Sequence, residues 1–341
     1  MKAAVFYGKH NLKTEEISMP EPKADEVIIK VMACGICGTD IHIFEGDEGA
    51  AQTPPGTVLG HEFSGVVTRV GAGVNSIHIG DRVTVDPNKL CGNCYFCRSA
   101  IGHFCENIVG IGTTVNGGFA EYCAVPQSQI YKIADTTTFE EAAMAEPVSC
   151  CMHGIDLCDI NTDDTVLIIG CGMIGMIMLQ LAKIAGAAKL IVIEPEEEKL
   201  EFAKKLGADI CINPISEKAE DVLKSNNITR ISKVIECAGR CDTMEQAVSL
   251  AGKKSIVMFF GLTAPKDIIN IKPFEIFKKE LEIKASYINP YTQQRAIDII
   301  DSGKIDVKSM LYKIADLDEL PQILSDKALR RKGKFIIAPN K

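Results

Sequence analysis

The chain has 341 residues, of which 46% are hydrophobic and 24% charged, and it carries a net charge of −8. That length can bury a large core in two domains, and an acidic chain whose longest basic cluster is RRKGK argues against nucleic acid as a partner. The opening MKAAVFYGKHNLK has no apolar run of secretion-signal length, and the longest apolar stretch, Val166 to Ala182, holds three glycines and falls short of a membrane span.

Fourteen cysteines in a long chain without an export signal read as reduced thiols of a cytoplasmic protein. From Met1 to near Ile133 the chain is a series of short β-type runs, VIIKVMA, EFSGVVTRVGA, DRVTV and FAEYCAV, broken by Gly, Pro and Asp. This predicts a mostly β domain. From near Thr165 strands and helices alternate, from TVLIIG and MIGMIMLQLAKIAGA through KLIVIE to KSIVMFFG. Such alternation predicts a doubly wound α/β domain with a parallel sheet. Beyond Ile283 a helix that stops at Gly303 and a last strand KFIIAP are expected to return to the first domain, because neither can bury its apolar face alone.

CGNCYFCRSAIGHFC places Cys91, Cys94, Cys97 and Cys105 close enough in sequence to surround one zinc ion tetrahedrally. Iron–sulfur ligation suits similar spacing and is the competing metal. In CGICGTDIH, Cys37 offers a thiolate; the GHE that follows offers the imidazole of His61 and the carboxylate of Glu62. These are the donor types of a catalytic zinc that keeps one position open. Asp40 is placed to orient His61, with an exposed turn aspartate as the plain alternative. Thr39 and His42 can carry a substrate proton to solvent. A redox pair of Cys34 and Cys37 would open a helix, whereas this one follows the strand-like EVIIKVMA.

GCGMIG supplies Gly170, Gly172 and Gly175 between a strand and a helix, with the amides of Met173 and Ile174 facing a pyrophosphate. Glu194 ends the next strand, nineteen residues past the last glycine, where a carboxylate grips the ribose hydroxyls. Glu196, Glu197 and Glu198 would repel a 2′-phosphate, so NAD is expected over NADP, with Lys199 a further ribose-side contact or a solvated helix residue.

CGICGTDIH, GHEFSGVVTRVGAGV, GDRV, the four-cysteine lobe, GGFAEY, GCGMIG and SGKIDVK together resemble the zinc-dependent medium-chain dehydrogenases over nearly the whole chain. The resemblance implies a GroES-like, mostly β catalytic domain, a Rossmann NAD domain, a cleft between them, two zinc ions per subunit, and assembly as a homodimer or homotetramer. The implied boundaries are 1–148 for the catalytic domain, with its zinc lobe near 88–108, then 149–285 for the NAD domain and 286–341 for the returning segment. Within the family, AEPVSCCMHGID resembles the polyol branch, where a glutamate before proline replaces a cysteine ligand. This implies Glu146 at the zinc, directly or through its water, with Cys150 as the sulfur alternative. It also implies that Leu262 and Tyr287 lie near the nicotinamide and substrate.

The chain departs from sorbitol dehydrogenases at Ser286, where they carry arginine, and CGTDIHIFEGDE also resembles threonine 3-dehydrogenase. The expected reaction is oxidation of a secondary alcohol of a sorbitol- or xylitol-like polyol, with hydride transfer to NAD. Glu62 and Glu146 would adjust the charge on the metal. Threonine or a short diol such as 2,3-butanediol is the alternative substrate, and a catalytically silent NAD- and zinc-binding protein is the alternative outside enzymology.

Overall fold

The run EVIIKVMACG is β-branched and apolar on both faces, and it forms the ten-residue strand β1 (Glu26–Gly35). In the computed structural model, which describes residues 1–47 and 52–340, β1 is central to a seven-stranded sheet. One edge of β1 pairs antiparallel with β2 (Glu62–Val70) along its length, and β3 (Arg82–Val85) continues the sheet beyond β2. The other edge is shared. Its first half pairs with β4 (Tyr122–Pro126), and its last two residues, Cys34 and Gly35, pair with the strand Lys334–Ile337 from the far end of the chain. This sheet belongs to a compact unit of Met1–Ser149 with Asn289–Lys341.

Beyond β1 the chain enters a short helix, α1 (Gly38–Glu45), with Cys37 in extended conformation at its N-cap and Gly46 left-handed at its end. Cys37 therefore does open a helix, and the expectation that it lies outside one is corrected. Eight residues beginning with glycine show too little periodicity to reveal a helix. What separates Cys34 from Cys37 is burial: Cys34 is in the core of the unit.

The second unit is Cys150–Ile288. Its strands are β5 (Thr165–Ile169), β6 (Lys189–Ile193), β7 (Ile210–Ile212), β8 (Lys233–Glu236), β9 (Ile256–Phe259) and β10 (Glu282–Ala285). All pair in parallel, in the order β7-β6-β5-β8-β9-β10. The chain moves outward from β5 through β6 to β7, then returns to the opposite side of β5 as β8. The strand order reverses between β5 and β8, and in such sheets ligands bind outside the carboxyl ends of the strands at that point. Among the described residues, no helix is long and apolar enough to cross a membrane.

Leu167 in β5 is fully buried in the core of this unit. Leu167→Ala should lower the unfolding free energy of the unit by about 3 kcal/mol through lost burial and a residual cavity, read as a lower urea midpoint.

Candidate active site and metal centre

The β1–β2 register sets Gly35 opposite Glu62, so the chain leaving β1 and the chain entering β2 lie side by side. Donor atoms of Cys37, His61 and Glu62 consequently fall within 4.8 Å of one another. Asp40, buried in α1, links two of these residues. Its Oδ2 accepts from the Cys37 backbone N–H at 2.8 Å, and its Oδ1 lies 3.4 Å from His61 Nδ1. That contact lacks hydrogen-bond geometry, so both atoms are buried without a hydrogen-bond partner, as is Glu62 Oε1.

Burial opposes a charge on His61, but the neighbouring Asp40 and Cys37 outweigh it and hold the imidazolium well above the usual range. Thiolate, imidazole and carboxylate donors around one point, with orphaned buried atoms beside them, fit a zinc ion with an open position.

Glu62 has a second attachment. Its Oε2 accepts from Nζ of Lys334 in the strand Lys334–Ile337, and the same ammonium donates to Ile36 O at 2.9 Å. Both side chains are buried. Burial disfavours the charge on Lys334, yet Glu62 and Cys37 raise its pKa above the ordinary value. Oε1 of Glu62 is the oxygen with no hydrogen-bond partner.

Thr39 Oγ1 lies 3.7 Å from Cys37 Sγ. His42, three residues further along α1 and half exposed, bonds through Nδ1 to Asp47 Oδ2 at 2.8 Å. Glu146 is buried in the first turn of α2 (Ala145–Cys158). Among the described residues, Glu146 and Cys150 stand outside the set of three metal donors.

Cys91, Cys94, Cys97 and Cys105 bring their sulfurs within 4.8 Å of one another, and all fourteen cysteines are free thiols. Backbone amides support the cluster: the N–H groups of Cys91 and Asn107 donate to Cys105 Sγ at 3.3 and 3.4 Å. Amides of Asn93 and Cys94 pull the Cys91 thiol down to about 6. Such donors favour the deprotonated sulfur that a metal requires.

In the second unit, Gly170 follows β5 at φ +87°, a conformation that favours glycine, and a side chain there would strike Ala238. Gly172 caps α3 (Met173–Ile184), and a side chain on it would enter open space. That space adjoins the helix start, where the amides of Met173 and Ile174 lack intrahelical acceptors, an arrangement that favours an anion. Gly175 packs against Gly170 O. Glu194, just past β6, is buried and tied to this turn: Oε2 accepts from Cys171 N at 2.7 Å and Oε1 from Glu196 N at 3.2 Å. Lys199 pairs with Glu196 at 2.7 Å. Leu262 and Tyr287 are exposed, after β9 and β10 respectively.

The signature of the alcohol dehydrogenase GroES-like domain matches residues 23–135, and that of zinc-binding dehydrogenases matches residues 174–302. The chain is 36% identical to a D-arabitol-phosphate dehydrogenase of Enterococcus avium, over 89% of this chain and 87% of that one. It is also 36% identical to an L-threonine 3-dehydrogenase of Pyrococcus horikoshii, over 98% and 97%. Among solved structures, a zinc-binding dehydrogenase target of Sinorhizobium meliloti bound to NADP superposes with a TM-score of 0.94 at 36% identity, covering 99% of each chain. An Escherichia coli alcohol dehydrogenase complexed with NADH superposes at 0.91 and 30%, again over 99% of each.

The chain belongs to the zinc-containing medium-chain dehydrogenases. Its fold is the α/β fold of that family, a GroES-like β domain plus a six-stranded parallel Rossmann sheet. It is an NAD(P)-dependent zinc alcohol or polyol dehydrogenase with a four-cysteine structural zinc cluster and a cysteine, histidine and glutamate site for the catalytic zinc.

Two residues of this dehydrogenase escape sequence reasoning. Lys334 sits in an apolar strand 272 positions from its partner Glu62. Glu236 ends the apolar run KVIE as Glu194 ends KLIVIE, and that repeated ending is the one signal available. Lys334→Met should cost about 3 kcal/mol by stranding a buried carboxylate. Adding Glu62→Gln should recover most of that loss in thermal unfolding of the metal-free protein, and a double variant no more stable than Lys334→Met would contradict the pairing.

Proposed function

We propose that this dehydrogenase oxidises a secondary alcohol of a polyol to the ketone and prefers NAD over NADP. The observation that carries the reading is the convergence of Cys37, His61 and Glu62, with Asp40 and Lys334 fixing their orientation and charge. When bound, zinc acidifies the alcohol hydroxyl and nicotinamide accepts the hydride. Asp40 orients His61 through its neighbouring charge, and Lys334 holds the Glu62 carboxylate in place through Oε2. Thr39 receives the hydroxyl proton near Cys37, and His42, steadied by Asp47, releases it to water. Glu146, outside the set of three donors, would adjust the charge at a zinc ion held by Cys37, His61 and Glu62. Tyr287 contacts the substrate and Leu262 the nicotinamide.

Preference for NAD rests on Glu194 and on the run Glu196, Glu197 and Glu198, whose charge opposes a 2′-phosphate. Glu194 keeps unused lone pairs for ribose hydroxyls after accepting two amides, and Lys199, drawn toward Glu196, approaches the same ribose. A homo-oligomer is the expected assembly. Strand β10 pairs with only β9 among the described residues, and Ile268, Phe274, Phe277 and Ile283 of the same unit are exposed. A second copy fits that edge. Fourteen free thiols suit the cytoplasm.

The test is a panel of alditols, alditol phosphates, diols and threonine with each cofactor on zinc-loaded protein. NAD⁺ should exceed NADP⁺ by about a hundredfold in kcat/KM, and an alditol or its phosphate should be the best substrate. Faster turnover of threonine overturns the polyol assignment, and equal use of NADP⁺ overturns the cofactor preference. Cys37→Ser should abolish turnover while NADH affinity, read by its fluorescence, stays unchanged.

A further inference from the structure

Glu236 is fully buried at the carboxyl end of β8, at the point where the strand order reverses. Its Oε1 accepts three hydrogen bonds, from Ala238 N and Gly239 N at 2.9 Å each and from Thr243 Oγ1 at 2.7 Å. Its backbone carbonyl accepts two more, from Phe260 N and Gly261 N at 2.9 Å. The carboxylate therefore fastens the turn after β8, while the backbone carbonyl of the same residue holds the turn after β9. The two turns also meet directly: a side chain at Gly239 would lie 2.6 Å from Leu262 O, and one at Gly261 would lie 2.7 Å from Glu236 Oε2. Ala238 in turn packs on Gly170. The remaining oxygen, Oε2, is buried with no hydrogen-bond partner.

These turns lie on a definite side of the crevice. Glu194 follows β6 directly, on the side of β5 where the adenosine ribose of a bound dinucleotide lies. The β8 and β9 turns are on the opposite side, which leaves them the nicotinamide half. We propose that Glu236 is a positioning residue that shapes the nicotinamide half of the cofactor crevice: its carboxylate fixes the 238–239 turn, which abuts the 260–262 turn, through acceptor geometry rather than negative charge. This rests on the reading of the glycine turn as the dinucleotide site. Burial pushes the carboxyl pKa up, against the hydrogen bonds that lower it.

The test compares binding of NADH, read by its fluorescence, with binding of AMP, which probes the adenosine half alone. Glu236→Ala should weaken NADH by about tenfold or more and leave AMP within about twofold. Glu236→Gln, which keeps the acceptor, should stay within about threefold of the parent for both, and Thr243→Val, which removes one donor, should weaken NADH by about threefold. NADH affinity unchanged in Glu236→Ala, equal losses of AMP and NADH, or Glu236→Gln as defective as Ala each overturn the proposal. Should Glu236→Ala fail to fold, the other two variants decide it by the same criteria. A parent protein that binds neither AMP nor NADH defeats the dinucleotide reading itself, a result distinct from any pattern among the variants.

Discussion

The antiparallel pairing of β1 with β2, in a register that sets Gly35 across from Glu62, is the constraint on which the catalytic site depends. Side-chain direction alternates along a strand, so a slip of one residue would send Glu62 to the opposite face and separate Cys37 from His61. Several features hold the register. A side chain at Gly35 would collide with the Glu62 carboxylate and the Lys334 stem, so glycine there lets that ion pair lie against the strand end. The strand Lys334–Ile337 closes on the other edge of β1 at the same two residues, Cys34 and Gly35. Three chain segments distant in sequence thus end at one point, and the ligands emerge from it.

Charge explains why that point suits a cation. Asp40, Glu62 and a deprotonated Cys37 would place three negative charges around a single ammonium, that of Lys334, in a buried setting. Two are left uncompensated, which is the charge of one zinc ion. The same negative neighbours, Asp40 and Cys37, hold the His61 imidazolium well above its usual range against burial. Uncompensated buried charge is costly, so these electrostatics favour a divalent cation at the site. The four-cysteine lobe follows the same principle with backbone amides, since N–H groups directed at sulfur favour the thiolate.

Features with a short sequence period or a fixed spacing were legible before the structure. The alternation of apolar strands and helices from Thr165 onward corresponds to the six-stranded parallel sheet, and the four cysteines within fifteen residues correspond to one sulfur cluster. Helix α1 was not legible, because its N-cap is a cysteine and eight residues carry little periodic signal. Lys334 and Glu236 were hidden for a different reason. Each is a charged residue closing or opening an apolar run, and its role depends on partners brought together by tertiary structure. Spacing names the donors of a site; their orientation and charge balance come from chain segments that only the fold brings near.

Metal stoichiometry tests the account most directly, because it asks whether the β1–β2 register builds a metal site independent of the cysteine lobe. Elemental analysis of protein dialysed after zinc loading should give two zinc ions per chain, and Cys37→Ser and Cys91→Ser should each retain one, losing the ion from different sites. A folded Cys37→Ser protein that still binds two ions as tightly as the parent would show that Cys37 and His61 do not share a metal.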